Sequence, residues 1–236
     1  MNIVGPYARI MNLLDRSAGV ELLRKIEWCG RISHRSEGAQ TEDSWERFIQ
    51  SVVLEHGDWS IVEHASVTVD FLVDRGVTHE IVRHRLFSFT QESTRFVNYE
   101  KKMPPSFLSP IDIPPTSGCA LLNSESVMSS VGGRQYAAWS NAVDLAEASY
   151  KELLAAGCAP QIARSVLPNA LASRLIVTGN LRNWRHFLLM RTTREAHPQM
   201  RQVTIPLLDE FKAKIPLLYD DIEPLARQID NMRKPR

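Results

Sequence analysis

Between Ser66 and Val73 the side chains alternate strictly. Val67, Val69 and Phe71 fall on one side of a strand, and Thr68, Asp70 and Leu72 fall on the other. The stretches before it keep a different period. Val20, Leu23, Ile26 and Glu27 step at helical spacing up to Gly30, and Thr41 to Leu54 puts Trp45, Phe48, Ile49 and Val52 on one helix face. Residues 1 to 16 mix Ile3, Val4, Tyr7, Ile10 and Leu13 with turn residues and read as an entering strand.

After Gly76 the segment Val77 to Arg85 reads as a short helix anchored by Ile81 and Val82, and Phe87 to Tyr99 alternates again as a strand. Lys101 to Gly133 carries five of the 13 prolines and no period, which suits an irregular connection. Gln135 to Ala156 is an amphipathic helix ended by Gly157, and Pro160 opens another that stops before Pro168. Leu171 to Thr178 is strand-like. Asn180 caps a helix through Met190, and Pro198 starts a last helical region that Pro206 must kink or interrupt. No internal repeat or clean linker divides the chain, so residues 1–236 are expected to form a single domain.

With 236 residues and 44% apolar content the chain can bury a conventional core, which argues against disorder. No apolar run approaches the roughly 20 residues that span a bilayer, and Met1 to Ala8 lacks a basic segment followed by an apolar one. A cytosolic protein without membrane contact is expected. Cys29, Cys119 and Cys158 are far apart without a CxxC pair, and read as reduced thiols. A net charge of +1 argues against a general nucleic-acid binder.

That near-neutrality hides a bias, because 21 of the 28 basic residues are arginine. Guanidinium offers a planar fork suited to phosphate and carboxylate. Codon bias could enrich arginine everywhere, but between Arg164 and Arg201 there are seven arginines, no lysine and one acid, Glu195. Either an anionic ligand or carboxylates from elsewhere in the fold supply the missing charge. Leu181, Trp184 and Leu188 form a core-facing stripe that Arg191 continues, so Arg191 needs an anion or several acceptors. Arg182 and His186, at i and i+4, can touch one ligand together, although a lone histidine is more often structural.

A second cluster is Arg83, His84 and Arg85, followed by Ser93 and Arg95. On a helix Arg83 and Arg85 point about 200° apart, so they should serve two ligands, or one ligand and a neighbouring subunit. On the next strand Gln91, Ser93 and Arg95 share a face, and a hydroxyl beside a guanidinium makes a phosphate clamp. His56 to His64, and His79 to His84, lack metal-ligand spacing, and no metal is expected. No serine or cysteine has a nucleophile's context, since GxSxG is absent and Cys158 lies in Gly-Cys-Ala-Pro. An enzyme built this way takes its chemistry from a cofactor.

Arg83-His84-Arg85, seven residues and Ser93 resembles the RHR-x7-S signature of flavin-dependent thymidylate synthases, the ThyX family. Ser60-Ile-Val-Glu63-His64 is similar to that family's S-x-x-E-H segment. Arg164-x3-Pro168, Arg174, Asn180-x-Arg182 and Phe187-Leu-Leu-Met-Arg191 follow in the family's order. The resemblance runs from about Ser33 to Arg201. It implies an α+β fold with a central, mostly antiparallel sheet packed by helices, in a homotetramer with active sites at subunit interfaces. The implied reaction converts dUMP to dTMP with 5,10-methylenetetrahydrofolate as carbon donor and FAD, reduced by NADPH, as hydride donor.

By the same resemblance FAD contacts Ser60, Arg83, His84, Arg85, Gln91, Asn180, Arg182 and His186. The nucleotide contacts Glu80, Arg83, Gln91, Glu92, Ser93, Arg95, Arg164 and Arg191, with Arg191 activating the base. Asp58 stands where many members have histidine, and His186 where some have asparagine. Two rivals are an FAD enzyme of this fold acting on another pyrimidine nucleotide, and a non-enzymatic Arg-rich nucleic-acid binder.

Overall fold

A computed structural model describes residues 1–99, 104–110 and 131–224. Most of the Pro-rich stretch 101–133, Cys119 and the tail from 225 lie outside the described residues. The strands are β1 (Asn2–Ile3), β2 (Tyr7–Ile10), β3 (Ser66–Asp74), β4 (Ser88–Gln91), β5 (Ser106–Phe107) and β6 (Ala172–Asn180). The fold is α+β with an antiparallel sheet, as expected. β2, β3, β6 and β4 form a four-stranded sheet in that order, while β1 pairs parallel with β5. β5 places a strand inside the stretch expected to be irregular.

Two compact units emerge: Met1–Pro6, Leu72–Ile81 and Thr90–Leu175 form one, and Tyr7–Phe71, Val82–Phe89 and the chain from Ile176 form the other. The chain passes from one to the other within β3, β4 and β6, and also after Pro6 and after Ile81.

In the second unit the expected entering strand gives way to helix α1 (Arg16–Ile32), because Asp15 Oδ1 accepts the amide of Ala18 at 3.0 Å and caps it. Leu23, Ile26, Glu27 and Gly30 are its buried face, close to the one expected. Gly19 lets α1 press on the end of the last helix, where an added Cβ would lie 1.8 Å from the Lys214 carbonyl oxygen. The helix expected over 41–54 is split into α2 (Ser44–Phe48) and a π-helical stretch, Ile49–Glu55. His56 closes the wider turn, since its amide at 3.0 Å and its Nδ1 at 2.6 Å both meet the Ser51 carbonyl. A 3-10 helix, Trp59–His64, leads into β3.

β3 buries Val67, Val69, Phe71 and Val73, the expected face, and also Asp70 on the other. Helix α3 (Arg75–Ile81) starts and ends earlier than expected, because Asp74 Oδ1 accepts the Val77 amide at 2.7 Å. The segment after Ile81 is a turn. The strand expected over Phe87 to Tyr99 is only β4, and Ser93 to Phe96 turns instead. There Ser93 Oγ accepts the Arg95 amide and the Ser93 carbonyl accepts those of Phe96 and Val97, which gives the backbone partners outside a ladder.

In the first unit, α4 (Val131–Ala155), α5 (Pro160–Ala163) and a 3-10 turn, Arg164–Val166, pack a core of Tyr99, Phe107, Val143, Tyr150 and Leu171. Gly157, at φ +89°, ends α4 as expected. In the second unit α6 (Leu181–Arg191) is capped by Asn180 Oδ1 on the Asn183 amide at 2.8 Å. The final helix, α7 (Pro198–Lys214), continues through Pro206 without interruption. Met200, Val203, Leu207, Leu208 and Phe211 bury its face on both sides of the proline, so packing sustains what the missing amide would break. Cys29 and Cys158 are free thiols. No helix among the described residues is long and apolar enough to cross a membrane.

Candidate active site

Helix α6 is seated by its own stripe. Leu181, Trp184, Phe187 and Leu188 are buried, and Trp184 Nε1 donates to the Val67 carbonyl at 2.9 Å. The turn carrying Arg83, His84 and Arg85 is fastened to this helix. Phe87 lies 4.6 Å from the Trp184 ring, and Asn183 Nδ2 donates to the Leu86 carbonyl at 3.2 Å. Gly179 leaves room for Phe87, because a Cβ there would stand 2.1 Å from the ring.

Between turn and helix is a cavity of about 290 Å³ lined by Arg83, His84, Arg85, His186 and Arg191, with Leu86, Phe87, Asn183 and Met190 completing the wall. Arg83 and Arg85 line the same cavity, contrary to the expectation that they diverge. The 200° argument assumed a helix, and the residues lie on a turn. Arg191, at the end of the buried stripe, meets one acceptor in His84: its Nε donates to His84 Nε2 at 2.9 Å. Burial, then the charges of Arg191 and His186, pull the His84 pKa down to about 4. His84 is therefore neutral at pH 7 and its Nε2 accepts. Among the described residues the cavity wall brings three guanidinium groups beside apolar side chains, a composition suited to an anion with a flat ring system.

Four residues expected at the flavin, Ser60, Gln91, Asn180 and Arg182, do not line this cavity. Arg182 Nη1 binds Glu63 Oε1 at 2.6 Å, with both side chains half exposed, while His186 lines the cavity. Asn180 commits its Oδ1 to the helix cap. Ser60 lines a second cavity of about 400 Å³ with Arg31, Ser33, His34, His56 and Asp58, the position where many members have histidine.

The other compact unit gathers most of the expected nucleotide contacts around the turn after β4. Gln91 Nε2 donates to Thr78 Oγ1 at 3.0 Å and Ser173 Oγ at 3.1 Å, tying β4 to α3 and β6. Glu92 Oε1 accepts from the hydroxyl of buried Tyr99 at 2.8 Å. Burial, with the Glu92 contact, raises the Tyr99 pKa above its ordinary value, so this phenol keeps its proton. Arg164 Nη1 donates to Thr94 Oγ1 at 2.9 Å, which draws Arg164 to the turn of Ser93 and exposed Arg95. The shared strand face expected for Gln91, Ser93 and Arg95 is absent, since β4 stops at Gln91. Glu80 is on α3 in this unit. Thr94 and Tyr99 escaped the sequence reading. The one signal for Thr94 was its place between Ser93 and Arg95, where a buried hydroxyl needs a partner.

The family described as thymidylate synthase complementing protein matches residues 13–217. A flavin-dependent thymidylate synthase of Mycobacterium sp. (strain JLS) is 35% identical over 229 residues, 90% of this chain and 84% of that protein. The protein of the same name from Corynebacterium diphtheriae is 37% identical over 228 residues, 88% of this chain and 81% of that one. Among solved structures, the UMP/dUMP methylase PolB from Streptomyces cacaoi, bound with 5-Br UMP, shares the fold. Its TM-score is 0.67 at 20% identity, over 92% of this chain and 93% of that one. The matched span takes in both the arginine-lined cavity and the turn after β4, and the chain belongs to the flavin-dependent thymidylate synthase family.

Proposed function

We propose that this protein is a methyltransferase that converts dUMP to dTMP, with 5,10-methylenetetrahydrofolate as carbon donor and FAD reduced by NADPH as hydride donor. The observation that carries the reading is the cavity that Arg83, Arg85 and Arg191 line together, with Arg191 held by a neutral histidine. Its residues fit a flavin nucleotide: Arg83 and Arg85 offer donors to a phosphate, and Phe87, Leu86 and Met190 offer apolar wall to a ring. At about 290 Å³ it has room for part of that cofactor, which suits a site completed by a second subunit of a homotetramer.

FAD, when bound and reduced, supplies the hydride. The rest of the reaction rests on this chain's side chains. Ser93, Arg95 and Arg164 hold the nucleotide phosphate through charge-assisted hydrogen bonds, and Thr94 keeps Arg164 among them. Arg191 faces the pyrimidine and stabilises negative charge as it develops on the ring, which makes C5 a better nucleophile toward the methylene carbon. No cysteine need attack the base on this route. Phe87 and Phe187 pack against the His84 ring and hold it beside Arg191.

The test is a product assay on purified protein with dUMP, leaving out FAD, NADPH or methylenetetrahydrofolate in turn. Formation of dTMP that requires all three is expected, from a protein that is yellow when flavin is bound. NADPH consumption without dTMP would point to another pyrimidine nucleotide, and a colourless, inactive protein would point to a binder.

A further inference from the structure

Arg191 has a fixed backbone and a long side chain. Its carbonyl accepts the Thr204 hydroxyl at 2.7 Å, and Thr192 bonds back to the Leu188 carbonyl through both amide and hydroxyl. Several rotatable bonds separate that backbone from the guanidinium, so the backbone alone does not aim it. The bond from Arg191 Nε to His84 Nε2 does, because it fixes the plane of the fork.

His84 is itself held. Its ring meets Phe187 edge-on at 4.9 Å and Phe87 at 6.3 Å, and its turn is tied to α6 by Asn183. Helix α6 thus anchors the turn at one end, and the turn returns a hydrogen-bond acceptor to the last residue of that helix.

The charged and titratable groups lining the cavity around His84 are Arg191 and His186 from α6, and Arg83 and Arg85 from its own turn. An imidazolium here would lose the lone pair that Arg191 uses and stand beside guanidinium groups. A guanidinium cannot give up its proton, so the short contact requires a neutral ring protonated at Nδ1.

We propose that His84 is a positioning residue: its unprotonated Nε2 holds Arg191 Nε and sets the plane in which that guanidinium meets the pyrimidine. The role rests on the proposed synthase activity and is distinct from the flavin contact that the family resemblance implies for His84. It predicts that an acceptor at this place matters more than an imidazole. Glutamine can bring an amide oxygen to about the reach of Nε2, whereas alanine cannot.

Two measurements test it. In 15N-histidine NMR of the wild-type protein at pH 7, the His84 signal, identified by its loss in His84→Gln, should show a protonated Nδ1 and an unprotonated Nε2. The opposite tautomer overturns the proposal, and this readout does not depend on turnover. In dTMP assays at saturating FAD, His84→Ala should lose roughly tenfold or more in kcat, and His84→Gln should stay within about threefold of wild type. Equal losses in both variants, or a His84→Ala kcat restored by added FAD, would overturn it. A wild-type protein that forms no dTMP would sink the synthase reading instead, while the NMR result still decides the hydrogen bond.

Discussion

Arg191 carries a charge it cannot shed at any working pH, so its effect depends wholly on where its fork is held. Replacing it with alanine is expected to leave flavin absorbance on the purified protein while nearly abolishing dTMP formation. Normal turnover in Arg191→Ala would remove it from the chemistry. At the phosphate end, Arg95→Ala should weaken dUMP binding by about 1.5–3 kcal/mol in a titration, the usual effect of losing a charge-assisted contact. Thr94→Val keeps the shape but removes the acceptor for Arg164 Nη1, so KM for dUMP should rise several-fold with kcat little changed. A fall confined to kcat would contradict that role. Arg95 and Arg164 were legible because arginine stands out in sequence. Thr94 was not, since its partner is 70 residues away and no local spacing links the two.

Elements decide whether these residues meet. The Arg83 to Arg85 triplet follows a helix that stops at Ile81, and the turn it then makes lets both arginines line one cavity. That turn depends on the last residues of β6. Gly179→Ala would put a methyl group 2.1 Å from the present position of the Phe87 ring. A stability loss of about 1–3 kcal/mol is expected, read as a lowered urea midpoint. An unchanged midpoint would show that Phe87 swings aside freely. Asn180→Ala should cost about 1 kcal/mol through the lost cap of α6, measured the same way. The cap and the stripe on α6 were readable because both act within a turn or two of helix. The end of β4 was not: alternation continues in the residues after Gln91, but Ser93 diverts the backbone into a turn.

For the whole molecule, acidification is the informative perturbation. The His84 pKa in the folded protein is about 4 against an ordinary 6.5, so between those values the unfolded chain binds the extra proton. Its contribution to stability is complete above about pH 6.5 and is lost as pH falls toward 4. Asp221 slopes the same way. Hydrogen bonds from Arg185 hold its carboxyl below the ordinary range, and that support disappears as it is protonated. The urea midpoint should therefore drop from pH 7 to pH 5, and by less in His84→Gln. An equal drop in both would separate the slope from His84.

The 21 arginines divide accordingly. Arg9, Arg24, Arg31 and Arg185 pair with acids of the fold, and Arg83, Arg85 and Arg191 line one cavity. Within the cluster from Arg164 to Arg201, carboxylates of the fold meet Arg182 and Arg185. Sequence by itself determined what interactions over a few residues control: the alternation of β3, the caps at Asn180 and Gly157, the core stripe of α6 and the order of the motifs. Tertiary structure alone decided that the arginine triplet sits on a turn, that α7 runs through Pro206, and that Arg191 rests on a histidine 107 residues away. Local spacing carries no record of such contacts, because packing energies between distant segments outweigh the small propensities that periodicity reports.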